Sequence, residues 1–389
     1  MMSLHGALNI SDLRDIAKRT LPRGIFEFVD RGTEDEVSLR ETISSFSAVK
    51  MYPRPLVDVS VRSTCTDIFG KEVSFPLIVA PTGAGGLCYY NGELAVARAA
   101  EKNHIPCVLA LGAIASMERV FASAPNGRHW FQMYMLRDRD LTFEIARRSW
   151  SVGFEALVLT VDQPVPSNRE YNRRNGFDSP FQINRRAVAD ALRSPNWLLG
   201  VLLRYVLLNG GMPRHENYPV GFQRAITSDP KLRTADANDT ITWEDVDRFR
   251  KVWPGKLIVK GILRVEDAVS CMARGVDGIV VSGHGARTFD SGPTALSVLP
   301  RIVDSVGGKV SVFYDSGIRR GSDIAKAVAL GADAVLAGRA ILYGVAAGGQ
   351  AGAELAMSIL RTELDTTLAY LGCRTVSELS RDAIMDLKC

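Results

Sequence analysis

The chain has 389 residues, 46% of them hydrophobic, so it can bury one large core or two ordinary ones. Its 47 basic and 43 acidic residues leave a formal net charge of +4, which is too balanced to indicate a nucleic-acid-binding protein. The six cysteines form no C-x-x-C pair, so we expect reduced thiols and neither a disulfide framework nor a metal site. No secretory signal and no apolar run long enough to span a bilayer is visible, and we expect a cytoplasmic protein.

The first 75 residues are predicted to form a helical extension, 1–75. A helix begins near Ser11, where acidic residues occupy the first turn. Leu21-Pro22-Arg23-Gly24 ends it, and a second helix-like run, 25–29, follows and ends near Gly32.

From residue 76 onward, short apolar runs alternate with helical patterns. The runs lie at 76–80, 107–111, 130–135, 156–161, 257–260, 278–281, 310–314 and 334–337, with helical patterns such as 92–102, 140–149, 264–274 and 322–330 between them. Eight buried strands alternating with helices predict an α/β fold, the (β/α)8 TIM barrel, and we treat 1–389 as one domain. A doubly wound open sheet is the alternative, but the loop after the first run, 81–86, is not the G-x-G-x-x-G of a dinucleotide site.

The regular spacing is interrupted once, by more than ninety residues between the fourth and fifth apolar runs. We predict a long insert after strand 4, at about 178–240. Within it, 197–208 is almost entirely apolar and has arginines on both sides. Two interpretations remain open: a core or subunit-interface helix, or an interfacial segment that lies in a membrane surface.

Polar residues follow most of the apolar runs. Because the catalytic side chains of a βα barrel gather at the C-terminal ends of its strands, these residues predict a ring of polar groups around one mouth. In chain order the ends carry Pro81, Thr82 and Gly83; Ala110; Gln132 and Tyr134; Thr160 and Asp162; Lys260; Ser282 and His284; Asp315; and Gly338 with Arg339.

The run 278–281 leads into Ser282-Gly283-His284-Gly285, with Arg287 three residues past the histidine. Small residues leave the imidazole accessible, and an arginine can grip a carboxylate at two points. This pair suits removal of a proton beside a carboxylate, although a histidine at a strand end can also be purely structural. Asp162 could hold the imidazolium, and Arg169 follows near the same mouth.

The loops after the last two runs, 315–322 and 337–339, each combine glycines with an arginine. Barrel phosphate sites commonly form after strands 7 and 8, so a phosphate-bearing cofactor is indicated. Lys260 is a cation on an otherwise apolar run and is therefore expected to have a negative partner.

These features carry a resemblance that covers almost the whole chain. The stretches 21–22, 80–83, 130–134, 159–162, 259–261, 282–287, 315–321 and 337–340 are similar to the FMN-dependent L-2-hydroxy acid oxidase/dehydrogenase family. The stretches 209–213 and 342–349 resemble its mandelate dehydrogenase and bacterial L-lactate dehydrogenase branch. The resemblance implies oxidation of an L-2-hydroxy acid to the 2-oxo acid, with transfer of the electrons to a membrane quinone or another acceptor. It also implies a homotetramer, attached peripherally to the inner face of the cell membrane through the insert.

The resemblance also implies the role of each site residue. His284 would be the base, Asp162 its partner, and Arg287 with Arg169 the carboxylate clamp. Tyr134 would hydrogen-bond the substrate and Lys260 would stabilise reduced FMN. The expected cofactor contacts are Ala80, Pro81, Thr82, Gly83, Ala110, Gln132, Thr160, Lys260 and Ser282 at the flavin, and Asp315, Gly317, Arg319, Gly338 and Arg339 at the ribityl chain and phosphate.

Three positions depart from the family pattern: Phe28 replaces a usual tyrosine, Ala110 a serine and Gly283 an asparagine. Phe28 removes a hydrogen-bond donor to the substrate carboxylate, an interaction worth roughly 1.5–3 kcal/mol when charge-assisted. A neutral 2-hydroxy lactone or ester, such as L-pantoyl lactone, is therefore the alternative substrate. An FMN barrel isomerase or a non-catalytic membrane scaffold would not need the intact pair of His284 and Arg287.

Overall fold

A computed structural model describes residues 3–83, 85–177, 181, 183–227 and 239–385 of the chain. A short hairpin, β1 and β2, precedes eight barrel strands, and sixteen α-helices are formed within these residues. The strands are β1 Thr66–Ile68, β2 Lys71–Val73, β3 Leu77–Val79, β4 Pro106–Ala110, β5 Arg128–Met133, β6 Ala156–Thr160, β7 Lys256–Ile262, β8 Gly278–Ser282, β9 Ser311–Asp315 and β10 Ala334–Ala337. The helices are α1 Ile10–Thr20, α2 Arg23–Asp30, α3 Val37–Ala48, α4 Gly85–Cys88, α5 Gly92–Lys102, α6 Met117–Ser123, α7 Arg139–Val152, α8 Glu170–Asn175, α9 Arg185–Leu192, α10 Pro195–Trp197, α11 Leu203–Leu208, α12 Trp243–Val252, α13 Val265–Ala273, α14 Ala295–Val306, α15 Gly321–Ala329 and α16 Arg339–Tyr370.

Strands β3 to β10 form a closed parallel barrel, in which β10 pairs with β3. Each of the eight predicted apolar runs forms one of these strands, so the predicted (β/α)8 barrel is confirmed. Alternate residues face opposite sides: Ile78 packs in the barrel interior, whereas Leu77 and Val79 pack outward against the helices. The strands are buried on both faces, which is why they read as continuous apolar runs.

The hairpin closes the N-terminal end of the barrel. Phe69, at its turn, lies 5.7 Å from the Trp130 ring and 5.5 Å from the Phe313 ring, measured between centroids. This plug fills one end with apolar side chains, so only the other end, where the strands finish, is available for polar groups.

The N-terminal extension crosses the outside of the barrel. Helix α1 packs against α16, while α2 runs to the mouth of the barrel and contacts α8 and, in the insert, α9. The two predicted helical runs in the extension correspond to α1 and α2, but the extension 1–75 is not wholly helical, because the hairpin of β1 and β2 forms within it.

The apolar stretch 197–208 of the insert begins at the last residue of α10 and continues through a π-helical turn at Leu198–Leu202 into α11. Trp197, Val201 and Tyr205 are buried against the protein, but Leu199 and Leu207 are 59% and 69% exposed. The segment therefore has one packed face and one exposed apolar face. No helix in the described part of the chain is long and apolar enough to cross a membrane, and residues 178–180, 182 and 228–238 of the insert lie outside the described residues.

Candidate active site

His284 follows β8 and is held by a carboxylate from another strand end. Its Nδ1 lies 2.7 Å from Oδ1 of Asp162, two residues past β6. Residues 284–286 have left-handed φ angles of 53°, 62° and 58°, which costs about 1–2 kcal/mol at each non-glycine position. The backbone N–H of His284 donates to Ser282 Oγ at 2.9 Å, which helps to hold this turn. The other ring nitrogen, Nε2, lies 3.5 Å from the Tyr134 hydroxyl, and both side chains line the same cavity.

Burial and charge together set the protonation of this pair. Burial lowers the pKa of His284 below its usual value, even though the charge of Asp162 opposes the shift. Burial alone would raise the pKa of Asp162, but the His284 and Lys260 charges keep it below its usual value. An ionised Asp162 accepts from Nδ1–H, so the lone pair of the neutral imidazole is on Nε2. This nitrogen is therefore ready to accept a proton on the cavity side.

Lys260 is the only lysine that lines this cavity among the described residues, and its side chain is 4% exposed. Its Nζ lies 3.1 Å from Oδ2 of Asp315 and donates to Ser282 Oγ at 2.9 Å. Ser282 Oγ donates in turn to the same carboxylate oxygen at 2.7 Å. Burial would lower the pKa of Lys260, but the charges of Asp315 and Asp162 outweigh it and raise the pKa. The expected negative partner of this buried lysine is therefore Asp315, and the lysine is charged.

Three arginines meet beside His284. Arg287 Nη1 donates to the backbone oxygen of Phe28 at 2.6 Å, and its guanidinium lies 5.1 Å from the centre of the Phe28 ring. Burial, followed by the charges of Arg169 and Arg339, lowers the pKa of Arg287 well below its usual value. No carboxylate within the described ranges forms an ion pair with any of the three. Since a guanidinium stays protonated in proteins, this cluster favours binding of an anion.

The side chain of Arg339, which was predicted to contact the cofactor, also binds backbone oxygens that the sequence did not predict. Its three guanidinium nitrogens donate to the backbone oxygens of Val29, Gly285 and Arg31 at 3.0, 2.7 and 2.9 Å. Arg339 thus joins the end of α2 to the His284 turn, as well as lining the cavity. A contact between Arg339 and a phosphate stays a prediction.

The loops after β9 and β10 form another side of the cavity. Arg319 Nη1 donates to its neighbour's backbone oxygen, Ile318 O, at 2.8 Å, and no ion pair joins Arg319 to a carboxylate of the described chain. The loops lead into α15 and α16, whose N-terminal ends favour negative charge. This side is suited to a phosphate.

Most predicted site residues line this one cavity. They are Phe28, Ala80, Pro81, Thr82, Gly83, Ala110, Gln132, Tyr134, Thr160, Arg169, Lys260, His284, Arg287, Asp315, Gly317, Arg319, Gly338 and Arg339. The other two, Asp162 and Ser282, lie behind the lining and contact His284, Lys260 and Asp315. Gln132 Nε2 donates to Thr160 Oγ1 at 3.0 Å, which links two adjacent strand ends.

The sequence reasoning missed several lining residues. Gln163 directly follows Asp162, so its position at a strand end could have identified it. Ser316 has a φ of 106° and accepts the Gly285 backbone N–H through its hydroxyl at 3.0 Å, which no sequence pattern signals. Gly112 lies in the loop after β4, and an added Cβ there would meet no atom within 4 Å.

The insert returns to hold this same loop. The Nδ1 of His215 lies 3.0 Å from Gly112 O. Asn217 donates through Nδ2 to Ala110 O and Ala115 O at 3.3 and 3.2 Å, and its Oδ1 accepts Met117 N–H at 2.8 Å. The loop that forms one wall of the cavity is therefore positioned by residues about a hundred positions later in the chain.

The residues present fit FMN. A buried, charged lysine and an amide–hydroxyl pair lie at the strand ends, while Arg319 and two helix N-termini lie at a side suited to a phosphate. When bound, FMN supplies a two-electron acceptor.

Comparisons with known proteins agree with this fit. Residues 17–386 match the family described as FMN-dependent dehydrogenase. The chain is 36% identical to (S)-mandelate dehydrogenase of Pseudomonas putida, with 97% of this chain and 94% of that protein covered. It is 35% identical to L-lactate dehydrogenase of Vibrio parahaemolyticus, with 97% and 98% covered. A crystal structure of the monotopic membrane protein (S)-mandelate dehydrogenase superimposes with a TM-score of 0.90 at 36% identity and covers 97% of this chain and 99% of that one. The chain therefore belongs to the FMN-dependent dehydrogenase family and is an FMN-dependent oxidoreductase.

Proposed function

We propose that this enzyme oxidises an L-2-hydroxy acid, mandelate-like or lactate-like, to the corresponding 2-oxo acid. The observation that carries the proposal is a neutral histidine, held by an ionised aspartate at 2.7 Å, beside arginines that lack a carboxylate partner among the described residues. One group can remove a proton while the other holds a carboxylate on the neighbouring carbon. Relatives named for mandelate and lactate support this substrate class.

Each residue has a distinct role in this proposal. His284 Nε2 removes a proton from the substrate, and Asp162 stabilises the imidazolium that results. Arg287 and Arg169 bind the substrate carboxylate, and Tyr134 donates a hydrogen bond to a substrate oxygen. The pKa of Tyr134 is raised, first by burial and then by the Asp162 charge, so its hydroxyl remains a donor.

Lys260 and the remaining lining residues would bind the cofactor. Lys260 places a positive charge at the strand ends, where it can stabilise negative charge on reduced FMN. Ala80, Pro81, Thr82, Gly83, Ala110, Gln132, Thr160 and Ser282 would surround the flavin, and Asp315, Gly317, Arg319, Gly338 and Arg339 its ribityl chain and phosphate.

A neutral 2-hydroxy lactone or ester, such as L-pantoyl lactone, is the second candidate substrate. Phe28 supports it, because a phenyl ring lines the cavity beside Arg287 where it cannot donate a hydrogen bond. An FMN-dependent isomerase is less well supported, since it gives no role to the pair of His284 and Arg287.

Anaerobic reduction of the bound flavin tests these candidates. The purified enzyme is mixed without oxygen with L-mandelate, L-lactate and their D-enantiomers, and with methyl mandelate and L-pantoyl lactone, while flavin absorbance is followed. We expect bleaching by one or more L-2-hydroxy acids and not by their D-enantiomers. Bleaching by the neutral compounds alone would select the second candidate, and no bleaching by any of them would contradict both.

We also propose that the enzyme attaches peripherally to the inner face of the cell membrane, passes electrons to a quinone and assembles as a homotetramer. The exposed face of the insert supports the attachment, since Leu199, Leu203, Val206, Leu207 and Leu208 are between 39% and 69% exposed. Light scattering of the detergent-solubilised protein tests the tetramer, and reduction of a quinone analogue by membrane-bound enzyme tests the acceptor.

A further inference from the structure

A second cavity lies between the N-terminal extension, α8 and the insert, and none of its lining residues lines the flavin cavity. Its volume is about 630 Å³, and six arginines line it: Arg23, Arg31, Arg174, Arg185, Arg186 and Arg193. We call it the arginine cavity. Glu27 and Asp190 are the only acidic residues in its lining among the described residues.

Both acidic residues are already engaged by the protein. Glu27 accepts from Arg23 at 2.8 Å and also from the side chain of Asn175. Asp190 accepts the backbone N–H of Gly24 at 2.8 Å. Neither carboxylate is therefore committed to an arginine of α9.

The arginines divide into two groups. Arg23 pairs with Glu27 at 2.8 Å, Arg31 with Glu36 at 3.0 Å and Arg174 with Glu170 at 3.1 Å. Within the described residues, by contrast, Arg185, Arg186 and Arg193 form no ion pair. Like charges gathered in a concave site raise the local potential and attract anions. Since a guanidinium presents a planar fork that matches phosphate oxygens, a phosphate group is the ligand that suits this site.

The surroundings of the arginine cavity indicate where the phosphate comes from. Helix α9 carries Arg185 and Arg186, and it also presents Val188 and Leu192, which are 46% and 65% exposed. The exposed leucines of α11 follow along the chain. A ligand with one phosphate and long apolar chains would satisfy both surfaces, whereas a soluble phosphate would leave the apolar residues in water.

We propose that the arginine cavity binds the headgroup phosphate of an anionic phospholipid, while the apolar residues of α9 and α11 contact its acyl chains. The inference rests on the proposed membrane attachment and adds a specific site to it. Diffuse attraction to negative charge depends only on the number of cations, whereas a phosphate site depends on guanidinium geometry.

The decisive variant is Arg185→Lys/Arg186→Lys/Arg193→Lys, which keeps all three positive charges and removes the three planar guanidinium groups. Binding to vesicles is measured by sedimentation, with phosphatidylglycerol or a carboxylate amphiphile such as oleate mixed into a phosphate-free galactolipid at equal surface charge. We expect the unmodified protein to bind phosphatidylglycerol vesicles at least tenfold more tightly than oleate vesicles, and the lysine variant to lose this preference. Equal binding of the two vesicle types by the unmodified protein, or an unchanged preference in the lysine variant, would overturn the proposal.

A triple glutamine variant distinguishes binding in the arginine cavity from attraction by the net charge of the protein. Arg185→Gln/Arg186→Gln/Arg193→Gln should weaken phosphatidylglycerol binding roughly 100-fold, at about 1 kcal/mol for each cation near the surface. The matched control, Arg147→Gln/Arg264→Gln/Arg361→Gln, removes three charges from other helices and a loop and should have a much smaller effect. Equal losses in the two triple variants would show that only bulk charge matters.

Inorganic phosphate and soluble dihexanoyl phosphatidylglycerol distinguish the two sources of the ligand. Titration calorimetry should show weak or no binding of inorganic phosphate and measurable binding of the short-chain lipid. Tight binding of inorganic phosphate that the lysine variant abolishes would contradict the lipid assignment. Failure of membrane attachment as a whole is recognised separately, because the unmodified protein would then bind neither kind of vesicle.

Discussion

At the scale of single residues, His284 and Asp162 control each other's charge. Burial pushes the pKa of His284 down, and the Asp162 carboxylate limits that shift. The active form requires neutral His284, so activity should fall as the pH decreases through this pKa, and the acidic limb of kcat/KM should lie below the usual histidine value of about 6.5.

The Asp162→Asn substitution should move the acidic limb of the kcat/KM profile to still lower pH. The aspartate charge raises the pKa of His284, so its removal lowers the pKa, while loss of imidazolium stabilisation slows proton removal. We expect kcat/KM to fall by about 10²–10⁴-fold, the range of a general-base contribution. A pH profile of flavin reduction measures both effects, and a limb that moves toward alkali would contradict this account.

Phe28→Tyr should shift preference toward free carboxylates. The added hydroxyl would lie beside Arg287, where it can donate to a bound anion, and each 1.4 kcal/mol regained changes the ratio about tenfold. The measurement is kcat/KM for mandelate relative to methyl mandelate. Phe181→Tyr is the matched control, since that ring lies 6.2 Å from the Phe28 ring but does not line the cavity. An equal change in both variants would remove Phe28 from the control of specificity.

The sequence was informative about the residues that end strands and less so about those that loops bring in. Lys260 and His284 were predictable, because a polar residue interrupts or follows an apolar run. Ser316 and Gly112 were not, because their positions depend on turn conformations that local composition does not specify. The backbone contacts of Arg339 were also not predictable, since they depend on where α2 crosses the mouth.

At the scale of elements, the insert has two faces with different tasks. Its exposed leucines are expected to contact the membrane, so Leu199→Ser/Leu203→Ser/Leu207→Ser should abolish vesicle binding while flavin reduction continues. The control is Leu8→Ser/Leu56→Ser/Val61→Ser, which changes residues that are at least 80% exposed elsewhere. Vesicle binding that survives in the first variant would show that this face is not the contact surface.

The returning end of the insert supports the cofactor cavity. Asn217→Ala leaves the Met117 N–H and Ala115 O without the side chain that bonds them, at roughly 1–3 kcal/mol for each buried group, whereas Ala110 O keeps the Ala113 N–H at 3.0 Å. We expect weaker FMN binding, measured by fluorescence as flavin is released on dilution. Asn209→Ala, which loses one exposed hydrogen bond to Tyr90, is the control and should retain FMN.

The order of strands and helices in the barrel could be predicted from the sequence, but the packing of the insert could not. Eight runs of apolar residues predicted eight strands because each strand is buried on both faces. The segment 197–208 left two interpretations open because it is apolar on nearly all sides, and periodicity then cannot identify a packed face. The structure identifies the packed face: Trp197 and Tyr205 are buried, whereas Leu207 is exposed.

At the scale of the whole molecule, the cofactor is expected to stabilise the fold. Arg319 and Arg339, which are proposed to face the FMN phosphate, have no carboxylate ion pair among the described residues, so removal of FMN leaves two like charges close together. Stabilisation by a ligand at 100 times its Kd is about 2.7 kcal/mol. We expect flavin-free protein to unfold at a lower Tm in a thermal scan and to recover on addition of FMN. An unchanged Tm would mean that the charges of Arg319 and Arg339 are accommodated without the phosphate.

The two ends of the chain are joined beside the active site. Asp30 accepts from Arg14 at 2.6 Å and from the Tyr343 hydroxyl at 2.6 Å. Helix α1 packs on α16, and Arg339 holds the last turn of α2. The mouth of the barrel is therefore assembled from the first and last parts of the chain.

The contacts of Arg339 have a consequence for biosynthesis. The backbone oxygens of Val29 and Arg31 leave the ribosome 310 and 308 residues before the guanidinium that binds them. At about 5–20 residues per second, this corresponds to roughly 15–60 s during which α2 has neither its arginine nor the barrel beneath it. Helices α1 and α2 are synthesised long before α16, which they contact in the folded protein. A nascent chain stalled before residue 339 therefore exposes these amphipathic helices to chaperones and proteases.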